Sequence, residues 1–191
     1  ISLKQSVSNL PEIKKLLASC RSNILNDAGS NLDPLEDLYD LIERSIADNP
    51  PITIKEGNII KTGYNQQLDQ YRRAMHEGKT WIASLEQKER EATGIKNLRV
   101  GFNKVFGYYI EVTRSYYDLV PEHYQRKQTL ANSERYITPE LKEMEDTILG
   151  AEEKSINLEY DLFVNIRQEI SKHVQRIQES ANIISVLDVL C

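Results

Sequence analysis

The spacing of apolar residues changes twice along the chain, and those two changes divide it. Up to about residue 48 the apolar positions recur at helical intervals in short blocks. Pro11 suits the first turn of a helix carrying Ile13, Leu16 and Leu17, where its missing N–H is not needed. Asp33 and Pro34 read as a cap followed by a first-turn proline. They open a helix with Leu35, Leu38, Leu41, Ile42 and Ile46 on one face. Asn49-Pro50-Pro51 ends it. The next stretch, ITIKEGNII, reads as a short extended excursion or hairpin around Gly57.

From Thr62 to Thr93 a narrow seam of Tyr64, Leu68, Tyr71, Met75, Ile82, Leu85 and Ala92 predicts a long helix that is polar elsewhere. Gly78 weakens it by about 1 kcal/mol relative to alanine. Gly94 suits the position just past the helix end. The period then drops to two. Leu98, Val100 and Phe102 alternate with polar or small neighbours, as do Tyr108, Ile110 and Val112, with Gly107 in the link between them. Tyr124 to Leu130 and Glu134 to Ile137 are two further strands around a turn at Ala131-Asn132-Ser133.

Helical spacing returns at Thr138-Pro139-Glu140-Leu141, a cap, a first-turn proline and an acid that complements the helix N-terminus. A seam running from Leu141 through Met144, Ile148, Leu158, Leu162, Ile166, Val174, Ala181 and Ile184 to Leu187 predicts one helix to about Asp188, with Gly150 a possible bend. So long a helix needs a partner, and the Thr62–Thr93 helix, running antiparallel, is the local one. The expected fold is therefore mainly α with a small inserted antiparallel β domain capping long antiparallel, coiled-coil-like helices. The expected domains are a helical core segment at 1–61, an ascending helix at 62–96, a β-rich domain at 97–137 and a descending helix at 138–191.

Composition adds little to this. The chain has 191 residues, 40% hydrophobic and 28% charged, close to globular averages. No apolar run reaches the roughly 18 residues of a membrane span, and there is no secretory signal. Cys20 and Cys191 follow no metal-ligand spacing and point to a reducing compartment. The first residue, Ile1, and the final apolar ISVLDVLC suggest a fragment of a larger cytoplasmic protein. The net charge of −5 argues against a dedicated nucleic-acid binder. Its distribution changes that picture. Between Asn97 and Tyr136 six basic side chains (Arg99, Lys104, Arg114, Arg126, Lys127, Arg135) outnumber four acidic ones (Glu111, Asp118, Glu122, Glu134).

Several chemistries are excluded. Gly78-Lys79-Thr80 ends like a phosphate loop, but Arg73 stands where the first glycine is needed and a helix where the strand should be. His76-Glu77 has no second histidine at metalloprotease spacing. No catalytic constellation stands out. The YQRKQTLAN segment does carry chemistry. Arg126, Lys127, Gln128, Thr129 and Asn132 gather cationic, amide and hydroxyl donors suited to phosphate and sugar oxygens. Strand alternation would set Lys127 and Thr129 on one side and Arg126 and Gln128 on the other. Arg99, Asn103 and Lys104 on the first hairpin could join either set. Polyanion contact and an ordinary charged edge strand both fit this pattern.

LRVGFNKVFGYYIEVTRS and VPEHYQRKQTLANSERYITPELKEMEDTILGAEEK resemble the clamp and lever regions of the MutS family of DNA mismatch-repair proteins. NIIKTGYNQQLDQYR and SLEQKEREATGI are similar to that family's ascending lever helix, and LKQSVSNLPEI to a preceding core segment. The resemblance implies a clamp at 97–137 that holds the backbone of double-stranded DNA without reading sequence, and levers joining it to an ATPase domain. It implies a homodimer, other mismatch-repair proteins as partners, ATP and Mg for the parent protein, and a bacterial, nucleoid-associated setting without a membrane. Matched onto the motif, Lys127, Gln128 and Asn132 are the first DNA-backbone candidates, then Arg126, Thr129, Asn103, Lys104 and Arg99. The turn has alanine, not lysine, at Ala131. No Phe-x-Glu follows Phe102, Phe106 or Phe163, and no complete phosphate loop occurs, so neither mismatch reading nor ATP hydrolysis is expected of this chain. The alternative is a structural coiled-coil arm whose β tip binds a protein.

Overall fold

The computed structural model describes residues 1–190, the side chain of Lys55 excepted; Cys191 lies outside the described residues. The chain divides into two compact units, Ile1–Gln66 with Ile156–Cys191, and Gln67–Ser155.

In the first unit the expected short helices are α1 (Ser2–Val7), α2 (Leu10–Ala18), α3 (Asn23–Asn31) and α4 (Glu36–Ser45). Pro11 lies in the first turn of α2. The Asp33–Pro34 start of α4 needs correction. The helix begins two residues later, with Leu35 in the left-handed region at φ 54°. Asp33 Oδ1 instead accepts the Leu35 N–H at 3.0 Å, and its carboxylate pairs with Arg176, 2.7 Å away. ITIKEGNII is not a hairpin. It contains a 3-10 turn at Ile54–Glu56, and Ile60 forms a single antiparallel bridge to Ile46. Leucines 10, 17, 32, 35 and 38 form this unit's core with Val7 and Leu187.

The second unit is built on α5 (Gln66–Thr93) and the first part of α6 (Pro139–Ser171). The two run antiparallel, since Gly78 meets Ile148 while Lys88 pairs with Glu140. Gly78 fills the gap between Met75 and Ile82 in the expected seam. A Cβ there would lie 2.5 Å from Ile148 Cγ1, so the glycine lets the helices close together. Both expected helix ends hold: Gly94 follows α5 at φ 72°, and Thr138 Oγ1 caps α6 by accepting the Leu141 N–H at 3.1 Å.

Between the helices lie β1 (Arg99–Asn103), β2 (Gly107–Thr113), β3 (Gln125–Thr129) and β4 (Ser133–Ile137). They make one antiparallel sheet in the order β1-β2-β4-β3. A 3-10 stretch at Arg114–Leu119 follows β2. Ile110, Val112 and Tyr136 turn one sheet face onto Ile82, Leu85, Leu141 and Ile148. The mainly α fold with an inserted β domain is thus as expected.

The single helix expected to Asp188 is two. At its end Lys172 and His173 make i→i−3 bonds to Glu169 and Ile170, and α7 (Val174–Leu190) follows. No glycine or proline marks the break. α6 runs unbroken through Gly150, where a Cβ would meet nothing within 4 Å. Nor is the expected seam the buried one throughout. Glu159 is buried next to the half-buried Leu158 and accepts the Ile59 N–H at 2.8 Å, while Val174 is exposed.

Candidate nucleic-acid interface

Alternation along β2 sends Tyr108, Ile110 and Val112 toward the helices and Tyr109, Glu111 and Thr113 to the opposite, outer face. Register sets Arg135 of β4 beside Glu111. Arg135 donates to Glu111 at 3.0 Å and to Gln128 Oε1 at 3.1 Å, and its guanidinium lies 4.1 Å from the Tyr109 ring centroid. Ser133 Oγ closes the set on Glu111 at 3.1 Å. Gly101 has its place under this network, since a Cβ would lie 2.7 Å from the Tyr109 ring.

β3 does not alternate as expected. A bulge between Arg126 and Gln128 makes Lys127 the extra residue. Arg126 and Thr129, assigned to opposite sides by simple alternation, therefore share a side. Both reach Glu134 Oε1, at 3.0 Å and 3.5 Å. Glu134 also accepts from the buried Tyr136 hydroxyl. That bond, ahead of Arg126, holds the Glu134 carboxyl below its ordinary range. Burial, reinforced by the same bond, pushes the Tyr136 phenol up. Burial and a 2.7 Å bond to Glu89 do the same for Tyr124 at the mouth of β3.

The remaining candidates sit at two ends of the sheet. At the β1–β2 end, Asn103 Oδ1 accepts the Val105 and Phe106 N–H groups at 2.8 Å and 3.2 Å, so it shapes the turn. Lys104 projects from that turn, and Lys127 Nζ reaches the Phe106 carbonyl at 3.2 Å. At the β3–β4 end the exposed Asn132 accepts the Arg114 N–H at 3.1 Å through its main-chain carbonyl. Arg99 is exposed on the β1 edge, opposite Glu111 in register. Among the described residues, Arg99, Lys104, Arg114 and Lys127 form no ion pair, whereas Arg126 and Arg135 each have an acid.

The eight candidates therefore do not form one patch. Lys127 reaches the turn that carries Lys104; Asn132 lies at the other end; Gln128 is engaged by Arg135, and Arg126 and Thr129 by Glu134. Arg114, exposed directly after β2, and Arg135, whose partners only strand register reveals, lie outside the eight candidates.

Residues 63–154 match the family model described as MutS family domain IV. The whole chain is 60% identical over 191 residues to "DNA mismatch repair protein MutS" of Clostridium tetani. It is 58% identical over 190 residues to the protein of the same name from Caldanaerobacter subterraneus subsp. tengcongensis, and 54% over 191 residues to that of Acetivibrio thermocellus. This chain belongs to the MutS family. It spans 22% of the length of each of these relatives. The MutS domain IV match takes in the whole sheet, α5 and the first part of α6. Among the described residues no helix is long and apolar enough to cross a membrane.

Proposed function

We propose that this chain is the part of a bacterial DNA mismatch-repair protein that clamps duplex DNA. The sheet touches the phosphate backbone without reading bases, and α5 and α6 link that contact to an ATPase domain that this chain does not carry. In the parent protein, ATP and Mg serve that domain. A homodimer encircles the duplex, and other mismatch-repair proteins respond to it.

The observation that carries this reading is that Lys127 reaches the turn carrying Lys104, inside the segment matched to MutS domain IV, with both lysines exposed and, among the described residues, in no ion pair. Point cations of this kind hold phosphate and carry no sequence information. Arg99, Arg114 and Asn132 supply a second, separate contact at the other end. The sheet's other two cations are already engaged by Glu134 and Glu111, so binding is weak and rests on few phosphate contacts, each of which adds about 0.9 to the slope of log K against log salt.

Duplex binding by the 191-residue chain, measured over a salt series with two unrelated sequences, tests this. The expected result is equal affinity for both, with Lys127→Glu weakening them alike and making the log K against log salt slope shallower by about 1. Salt-insensitive binding would refute the reading. The competing reading, an arm whose tip binds a protein, draws on the exposure of Phe102, Val105 and Phe106 at the same turn. It predicts that Val105→Ser abolishes partner capture while Lys127→Glu leaves DNA binding unchanged.

A further inference from the structure

We infer that Glu145, on α6, is a positioning residue that sets where the Lys104–Lys127 pair stands. The inference rests on the DNA-contact reading of those two lysines. The turn that carries Lys104 has little apolar anchorage of its own. Val105 is 81% and Phe106 42% exposed, and Phe102, 48% exposed, has among the described residues a single ring contact, to Tyr108 with centroids 4.8 Å apart. Asn103 closes the turn internally but ties it to nothing else.

The tie comes from the helix. Glu145 is 3% exposed, and its Oε2 accepts the Tyr108 N–H at 2.5 Å, at the foot of the turn. Its Oε1 is held by Lys142 at 2.5 Å. Gly107 makes the approach possible. At φ 77° it adopts a conformation that side chains rarely take, and a Cβ there would fall 2.0 Å from Glu145 Oε2. The Phe106 carbonyl, one residue before Gly107, receives Lys127 Nζ. One carboxylate thus fixes the turn bearing Lys104, and through the Phe106 carbonyl the position of Lys127.

Stability alone does not explain such a group. A carboxylate taken out of water loses hydration that one main-chain N–H and one lysine only partly replace. What Glu145 supplies is geometry, because it references the turn, and with it both cations, to α6.

The test separates length from charge. Glu145→Gln keeps the acceptor and loses the charge; Glu145→Asp keeps the charge and withdraws the acceptor by one methylene. Duplex binding by the full chain is measured over a salt series for both, for Lys104→Ala/Lys127→Ala, and for that pair combined with Glu145→Asp. Trp81 fluorescence confirms that each variant is folded. Glu145→Gln is expected to bind as the parent does. Glu145→Asp is expected to have a slope shallower by about 1 to 2, the signature of two lost phosphate contacts, and about ten-fold less affinity lost over a four-fold rise in salt. It should add nothing to the double lysine variant. A parental slope for Glu145→Asp, beside a reduced slope for the lysine variant, overturns the role of Glu145 and leaves the DNA contact standing. An unchanged slope in the lysine variant overturns both.

Discussion

Gly78→Ala tests the helix pairing that supports the sheet, because two effects of known size oppose each other there. Intrinsic propensity favours alanine inside a helix by about 1 kcal/mol. If α5 were an ordinary solvated helix at this point, the substitution would stabilise it by that amount. The structure predicts the opposite. The new Cβ would lie 2.5 Å from Ile148 Cγ1, 2.9 Å from Ile148 Cδ1 and 3.3 Å from Met144 Sδ. Ile148 is 1% exposed, and a β-branched side chain on a helix has little rotamer freedom with which to retreat. The helices must then move apart, and overpacking of this kind costs about 1–3 kcal/mol. The net expectation is a loss of about 1 kcal/mol, set by the larger opposing effect. Ile148→Ala alone should cost about 2–5 kcal/mol through its cavity. The double variant should be less destabilised than the sum by about 1–2 kcal/mol, because the added methyl occupies part of that cavity. Urea unfolding followed by Trp81 reports on this unit directly, since Trp81 is the single tryptophan and packs against this core. A Gly78→Ala midpoint above the parent's, or strict additivity in the double variant, would refute the close approach of α5 and α6.

Other expectations follow from individual contacts. Tyr124→Phe removes the 2.7 Å bond to Glu89 and should lower stability by about 1–2 kcal/mol in the same urea assay. In the first unit, the Arg176 guanidinium holds the Asp33 and Asp37 carboxyls below their ordinary values. Groups depressed in the folded state contribute stability that is present above their unfolded values, near pH 4, and is lost as pH falls through the folded ones. Arg176→Met should therefore lower the thermal midpoint at pH 7, and its gap to the parent should narrow as pH falls below about 4 through the folded values. Parallel midpoint curves across that range would count against the pairing.

The elements of this chain were legible because helix and strand periods depend on near neighbours. The change from a 3.6 to a 2 period at Leu98 located the sheet, and the caps at Gly94 and Thr138 bounded it. The helical blocks of the first unit were equally visible. Gly78 was legible only as a local weakness. Its use, letting Ile148 in, belongs to a helix seventy residues away. The break after Ser171 carries no glycine or proline, and nothing local announced it.

The donor types of the candidate interface were set by the sequence; which of them remain available was decided by the tertiary structure. The Lys127 bulge undid the alternation that separated Arg126 from Thr129. Strand register then assigned Glu134 to Arg126 and Glu111 to Arg135, across 8 and 24 residues of chain. A residue's own period says which way it leans. Whether an acid stands opposite depends on how distant strands are aligned, and that alignment is chosen by the buried face formed by Ile110, Val112 and Tyr136, since a slip of one residue would turn that face to water.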